Sequence, residues 1–254
     1  MNLTDKVAFI TGAGSGIGAA TARLMAAAGA KVACVGLPAV AVEAVANELN
    51  RAGYAALALA VDIADGGAVA AAVAQTVAYF GRLDLVVASA GIQLHNADRN
   101  LHELPEEIWD RTHDVNYRGV YLTCKHALAQ MVQQGTGGAL VIVASVTALN
   151  GRSANPAYLS GKHGLLGLNR YIAVHYANHG IRCNAVSPGA LERTPNHDEH
   201  PDPVGRAATL RASIPLGRPG TPEEIAPTIV FLCTADANYI TGANFVVDGG
   251  LTIA

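Results

Sequence analysis

Along most of the chain, short and almost uninterrupted apolar runs alternate with longer Ala-rich stretches of helical period. Lys6 to Ile10, Lys31 to Val35, Ala55 to Val61, Leu83 to Ser89, Gly138 to Ala144, Ile181 to Val186 and Phe245 to Val247 read as strands. Ile17 to Ala28, Val40 to Ala52, Gly67 to Phe80, Pro105 to Met131, Ala157 to Asn178 and Pro222 to Ala235 read as helices. A strand that is apolar at nearly every position has both faces buried, and such strands joined by helices form a parallel sheet covered on both sides. With right-handed crossovers, the pattern predicts an α/β fold with a doubly wound, Rossmann-type parallel sheet in a single domain over 1–254. Ligands bind such sheets at the carboxyl ends of the strands, so the residues just after strands carry the functional signal.

One stretch departs from the alternation. Residues 188–222 are rich in proline, carry acids and two histidines, and are too long for an ordinary connection. They follow a strand whose end should face the ligand crevice, so a substrate lid is expected there.

The first strand runs into Thr-Gly-Ala-Gly-Ser-Gly-Ile-Gly, with Gly12, Gly14, Ser15, Gly16, Ile17 and Gly18 leading into the first helix. Glycines let the backbone turn tightly and approach an anion, while the helix N-terminus offers N–H groups and a positive dipole end. Strand, glycine turn and helix in that order predict a pyrophosphate cradle, hence dinucleotide binding.

Composition narrows the partners. With 51% hydrophobic and 15% charged residues the chain has ample apolar surface for a core. A formal net charge of -3 and a pI near 6.3 offer no basic stripe, which argues against nucleic acid or an anionic membrane and leaves a small molecule. No apolar run nears the roughly 20 residues of a membrane span, and no charged-then-apolar leader precedes the first strand, so a cytoplasmic location is expected. Cys34, Cys124, Cys183 and Cys233 are widely spaced and read as small buried hydrophobes.

Tyr158 and Lys162 lie four residues apart on a predicted helix and so share a face. A neighbouring ammonium favours phenolate, which makes such a tyrosine a candidate general base. Ser145 stands at the end of the fifth strand, where a hydroxyl would project into the crevice.

These residues resemble the short-chain dehydrogenase/reductase family over essentially the whole chain. Thr11 to Gly18 is similar to its T-G-x-x-x-G-x-G motif, Tyr158 to Lys162 to its Y-x-x-x-K, and Ser145 has the expected separation. Asn116 stands where the family carries a fourth catalytic residue, and Pro188-Gly189 and Val247 to Gly250 resemble further motifs. The resemblance implies hydride transfer between a nicotinamide and an alcohol or ketone carbon, with no metal. Tyr158 would exchange the proton, Ser145 would hydrogen-bond the reacting oxygen, Lys162 would hold the nicotinamide ribose, and Asn116 would position a relaying water. It also implies a homo-oligomer, a dimer or tetramer, which fits the apolar surface of the helices 105–131 and 157–178.

Two departures stand out. Ala88-Ser89-Ala90-Gly91 replaces the usual Asn-Asn-Ala-Gly, which puts hydrogen bonds near the adenosine side in doubt, although Ala90 and Gly91 persist. The threonine that follows the Pro-Gly pair is displaced by one, with Arg193 in its place and Thr194 beside it as the cofactor-amide contact. At the end of the second strand, Gly36 and Leu37 supply neither the acid that selects NAD nor an Arg for the phosphate of NADP. NAD is slightly preferred over NADP with weak discrimination, and Gly36→Asp is expected to strengthen the NAD preference. Asp62, with Ile63 beside it, resembles the residue that hydrogen-bonds adenine; a turn or capping role is the alternative.

Gln93, His95, Asn150, Arg152 and Arg193 form a polar set after strands four and five and at the lid, which suits a sugar, polyol or hydroxy acid. A 3-oxoacyl-carrier reductase is the alternative, with Arg118, Lys125 and Arg170 available to dock an acidic carrier; a non-catalytic cofactor sensor is a third reading. His197 to His200 contains metal-ligand types without a defined geometry, and no metal site is assigned there. His163, His175, Trp109 and Tyr176 are assigned to packing or subunit contacts.

Overall fold

The computed structural model describes residues 1–192, 194 and 203–254, the side chains of 203, 204 and 206–208 excepted. Arg193 and the segment His197 to His200 therefore lie outside the described residues.

Seven parallel strands form one sheet in the order β3-β2-β1-β4-β5-β6-β7. They are β1 Val7–Thr11, β2 Lys31–Gly36, β3 Ala56–Ala60, β4 Leu85–Ala88, β5 Gly138–Val143, β6 Ile181–Pro188 and β7 Asn244–Val247. Strand order reverses between β1 and β4, and that switch point is where a doubly wound sheet opens a crevice at its carboxyl edge.

On one face pack α1 Gly16–Ala27, α2 Ala39–Arg51 and, later in the chain, the helix Pro222–Cys233. On the other pack α3 Gly66–Phe80, the helix Val120–Gln134 and the helix Pro156–His175. Every residue of β1 is buried, with Phe9 turned to one core and Ile10 to the other. That is the physical content of the unbroken apolar runs: both faces of the strand leave water. Helix ends follow local chemistry. The Asp65 carboxylate accepts from the N–H groups of Gly67 and Ala68 at the start of α3, and Gly81, at φ +88°, ends it.

Two elements differ from the sequence pattern. The stretch expected as one helix over 105–131 divides into α4 Glu106–His113, a wide π-turn at Asp114–Gly119, and α5 Val120–Gln134. The apolar period runs through all three, so it hides the wider turn, which directs Asn116 inward and sets Gly119 against Ile63. The helix α6 Pro156–His175 follows, and the segment expected as a lid contains a helix of its own, α7 Pro203–Ser213. An isolated bridge between Leu191 and Gly220 ties the base of that excursion, after which α8 Pro222–Cys233 rejoins the core.

Candidate active site

A cavity of about 960 Å³ opens at the carboxyl edge of the sheet, across the switch point. Its adenosine-side wall includes Gly12, Gly14, Ser15, Gly16, Ile17 and Gly18, with Gly36, Leu37, Asp62 and Ile63 facing them. Ala90 and Gly91 line its floor, and Pro188, Gly189 and Thr194 its far side. Gln93, Asn150 and Arg152 line the end that holds Ser145, Tyr158 and Lys162.

The glycine run fits a phosphate group. Gly12 takes φ +69°, and a Cβ there would stand 2.8 Å from Ala90 Cα; a Cβ on Gly18 would overlap the carbonyl of Gly12. Ser15 is the N-cap of α1 in extended conformation, yet its side chain makes no capping hydrogen bond, so the first turn of N–H groups is not covered from within. A cradle that side chains would fill, next to an uncovered helix N-terminus, suits the pyrophosphate of a dinucleotide.

Across the crevice the chemistry concentrates on α6. Tyr158 is 7% exposed and Lys162 4%, one turn further on, with its Nζ 5.6 Å from the tyrosine ring centroid. Lys162 Nζ donates to the carbonyl oxygen of Val143 at 3.0 Å, and burial pushes its pKa down to about 8. Ser145 starts a short turn after β5, where its Oγ accepts from Thr147 N–H at 3.2 Å and lies 2.6 Å from Thr147 Oγ1. With Thr147 donating, the Ser145 proton is left for a substrate oxygen.

Asn116 is fully buried and does not line the cavity. Its Oδ1 accepts from Ile92 N–H at 2.9 Å and its Nδ2 donates to Ile92 O at 2.8 Å, which clamps the segment after β4. A Cβ on Gly91 would lie 2.7 Å from Asn116 Oδ1 and 3.6 Å from Lys162 Nζ, so that glycine sits between the two. His95 is buried outside the cavity wall, and its carbonyl oxygen accepts from Arg99 Nε. Asp62 holds a turn by accepting from Ala64 N–H while also facing the cavity, so its two readings coexist.

Several contacts that shape the site are not legible in the sequence. Thr11 Oγ1 accepts from the N–H groups of Ser89 and Ala90 at 3.1 and 3.3 Å, joining the ends of β1 and β4 where the usual amides are missing. Arg111 of α4 lines the adenosine side with Nη1 3.5 Å from Asp62 Oδ2. Asp98, with no exposed surface, accepts from Ala157 N–H at 3.0 Å and Tyr158 N–H at 2.9 Å, an anion at the N-terminus of α6. Leu210 of α7 and the C-terminal Leu251 and Thr252 complete the wall. Gly36 takes φ +145°, so an aspartate there would carry backbone strain, while its Cβ would stand in ordinary contact with Gly12 N at 3.4 Å.

The four cysteines are buried and unpaired, and burial raises each thiol pKa. Among the described residues no cluster could hold a metal ion, and no helix is long and apolar enough to cross a membrane.

A family model described as Enoyl-(Acyl carrier protein) reductase matches residues 12–252. The chain is 43% identical to cis-4-hydroxycyclohexanecarboxylate dehydrogenase of Sinomonas cyclohexanicum, covering 98% of this chain and 97% of that one. It is 39% identical to D-threitol dehydrogenase of Mycolicibacterium smegmatis, covering 99% and 94%. The solved structure of levodione reductase superposes with a TM-score of 0.93 at 33% identity over all of both chains. The glycine cradle, the buried Tyr-Lys pair and relatives matched end to end agree: the chain belongs to the short-chain dehydrogenase/reductase family and is an alcohol dehydrogenase/reductase within it.

Proposed function

We propose that the protein transfers a hydride between NAD(P) and the carbinol or ketone carbon of a small polar substrate, a sugar, polyol or hydroxy acid. The observation that carries this reading is one continuous cavity with the glycine cradle at one end and Tyr158, Ser145 and buried Lys162 at the other. When bound, the nicotinamide supplies the hydride acceptor for oxidation and the donor for reduction.

In oxidation, Ser145 holds the substrate oxygen and the Tyr158 phenolate takes the hydroxyl proton as the carbinol hydride departs. The Lys162 ammonium, buried beside the ring, favours that phenolate and would also meet the ribose. Asn116 keeps the β4 end in place next to Lys162 and, as the family resemblance implies, would support a water relay. Asp62 and Ile63 would hold adenine, Pro188, Gly189 and Thr194 the nicotinamide side. NAD is proposed as slightly favoured: no carboxylate follows β2, but Arg111, the cation on that side, is engaged by Asp62.

The polar end supports the substrate class. Gln93 and Asn150 line it, and Arg152, exposed at the wall, takes part in no ion pair among the described residues, so it could meet a carboxylate. The relatives named above act on a hydroxylated ring acid and a polyol. The segment 188–222 is proposed as the lid, because Leu210 of α7 and Thr194 both reach the cavity. A cytoplasmic homotetramer or dimer is proposed with it, supported by unbridged cysteines and by Tyr117, Tyr121, Tyr171 and Val174 exposed near α5 and α6.

The test is reduced-nicotinamide absorbance with NAD or NADP over a panel of sugars, polyols, hydroxy acids and simple secondary alcohols, with Tyr158→Phe as control. The expected result is turnover that the variant loses while cofactor binding is kept. Full activity in Tyr158→Phe would overturn the mechanism.

A further inference from the structure

The substrate end of the cavity is bounded by a chain of amides whose direction is fixed from one end. The backbone carbonyl oxygen of Asp98 accepts from Asn155 Nδ2 at 2.6 Å. A carbonyl oxygen can only accept, so Asn155 must turn its nitrogen toward Asp98 and its oxygen away. That oxygen lies 2.8 Å from the terminal nitrogen of Gln93 and also can only accept, so Gln93 must present Nε2 to it. Reversing either amide would bring two oxygens face to face; the assignment thus follows from hydrogen-bond logic at both links. Asn155 is 5% exposed and Asp98 has no exposure, so water cannot replace either contact cheaply.

The consequence falls on Gln93 Oε1. No donor among the described residues reaches it, and Gln93 lines the cavity. The relay is also anchored next to the reacting tyrosine. Asn155 is the N-cap of α6, Tyr158 lies in its first turn, and the Asp98 carboxylate grips that turn through the Tyr158 N–H.

We propose that Gln93 is a specificity-determining hydrogen-bond acceptor, held in that orientation by Asn155 and Asp98, and that it selects substrates bearing a second hydroxyl near the carbinol that reacts at Tyr158. The inference rests on the dehydrogenase reading and narrows its substrate class to vicinal or near-vicinal diols and polyols. A hydroxyl satisfies Oε1 by donating its proton, whereas an ether, a fluorine or a hydrogen at the same place leaves the acceptor unpaired. Sites built around a polar partner reject the analogue that lacks it far more strongly than apolar pockets reject a missing methylene.

The experiment takes the fastest alcohol of the panel and compares its kcat/KM with those of its counterparts in which the neighbouring hydroxyl is replaced by fluorine or by hydrogen. Wild type, Gln93→Leu and Asn155→Ala are measured as full-length protein. The wild type is expected to favour the hydroxyl compound by about 100-fold or more. Gln93→Leu should bring that ratio below about tenfold, and Asn155→Ala, which frees the Gln93 amide to turn over, should lower it partway. A general structural loss would slow all three substrates together and leave the ratio in place. A fastest substrate with no second hydroxyl, or an unmoved ratio in Gln93→Leu, would overturn the proposal while leaving the dehydrogenase reading intact. Wild type inactive toward every alcohol despite binding cofactor would sink the dehydrogenase reading itself, and this one with it.

Discussion

Replacing Lys162 by methionine should make the cofactor-free protein more stable and the enzyme far slower, and the two effects have one cause. The side chain is 4% exposed, has one hydrogen-bond partner in Val143 O, and has its pKa lowered from 10.5 to about 8 by burial. Keeping it protonated at neutral pH costs about 3 kcal/mol relative to the unfolded chain, at 1.36 kcal/mol per tenfold. Methionine fills a similar volume without charge but leaves Val143 O unpaired, a loss of about 1 kcal/mol. The net gain is about 2 kcal/mol, or roughly 4–8 °C in melting temperature for a chain of this size. The pH dependence has a definite sign. Because the folded pKa lies below the unfolded one, the unfolded chain holds more protons between pH 8 and 10.5, so wild-type stability rises through that window. The advantage of Lys162→Met should therefore be flat below pH 8, shrink above it, vanish between about pH 9.5 and 10, and be reversed by about 1 kcal/mol near pH 10.5, where only the unpaired Val143 O remains as a difference. Urea unfolding of both proteins at fixed concentration, without cofactor, reads it directly, and steady-state oxidation should fall by about 100-fold or more as the phenolate loses its cation. A variant less stable than wild type at pH 7, or a difference that ignores pH, would refute the reasoning.

Two further substitutions probe the scaffold of the site. Asp98→Ala removes two charge-assisted hydrogen bonds and leaves the N–H groups of Ala157 and Tyr158 buried without an acceptor, so stability should drop by about 3–6 kcal/mol, with kcat falling more than cofactor affinity. A loss below about 1 kcal/mol in denaturant titration would show that water caps α6 there. Gly36→Asp places a side chain at φ +145° with its Cβ 3.4 Å from Gly12 N, so affinity for NAD and NADP should weaken together in a fluorescence titration. Tighter NAD binding at unchanged stability would show instead that the β2 end relaxes to accept the acid.

How much of this was legible in the sequence depends on the range over which each feature is encoded. The strands were readable because each reports its own burial: β1 and β5 are apolar since both faces are covered, and the ends of β1, β5 and β6 fall within a residue or two of the runs read from the sequence. The glycine cradle and the Tyr158–Lys162 pair were readable because their parts are neighbours in sequence. Contacts that span the chain left no such trace. Asp98 meets its partner N–H groups from about 60 positions away and looks, in sequence, like any acid in a polar loop. The π-turn at Asp114–Gly119 was hidden because an apolar period tolerates one wide turn, and α7 because its stretch lacks an apolar stripe. Thr11 shows why a departure from a family motif is not a lost function. The sheet requires the ends of β1 and β4 to be held together where the crevice opens, and that requirement concerns donors and acceptors, not residue names. With Ser89 in place of an amide, the Thr11 hydroxyl accepts both N–H groups of the turn, and Ala90 and Gly91 still line the cavity floor. Those two N–H groups belong to the backbone and are present whatever side chain stands at position 89, so the tie made by the threonine of the glycine motif is untouched by the replacement of the usual amide.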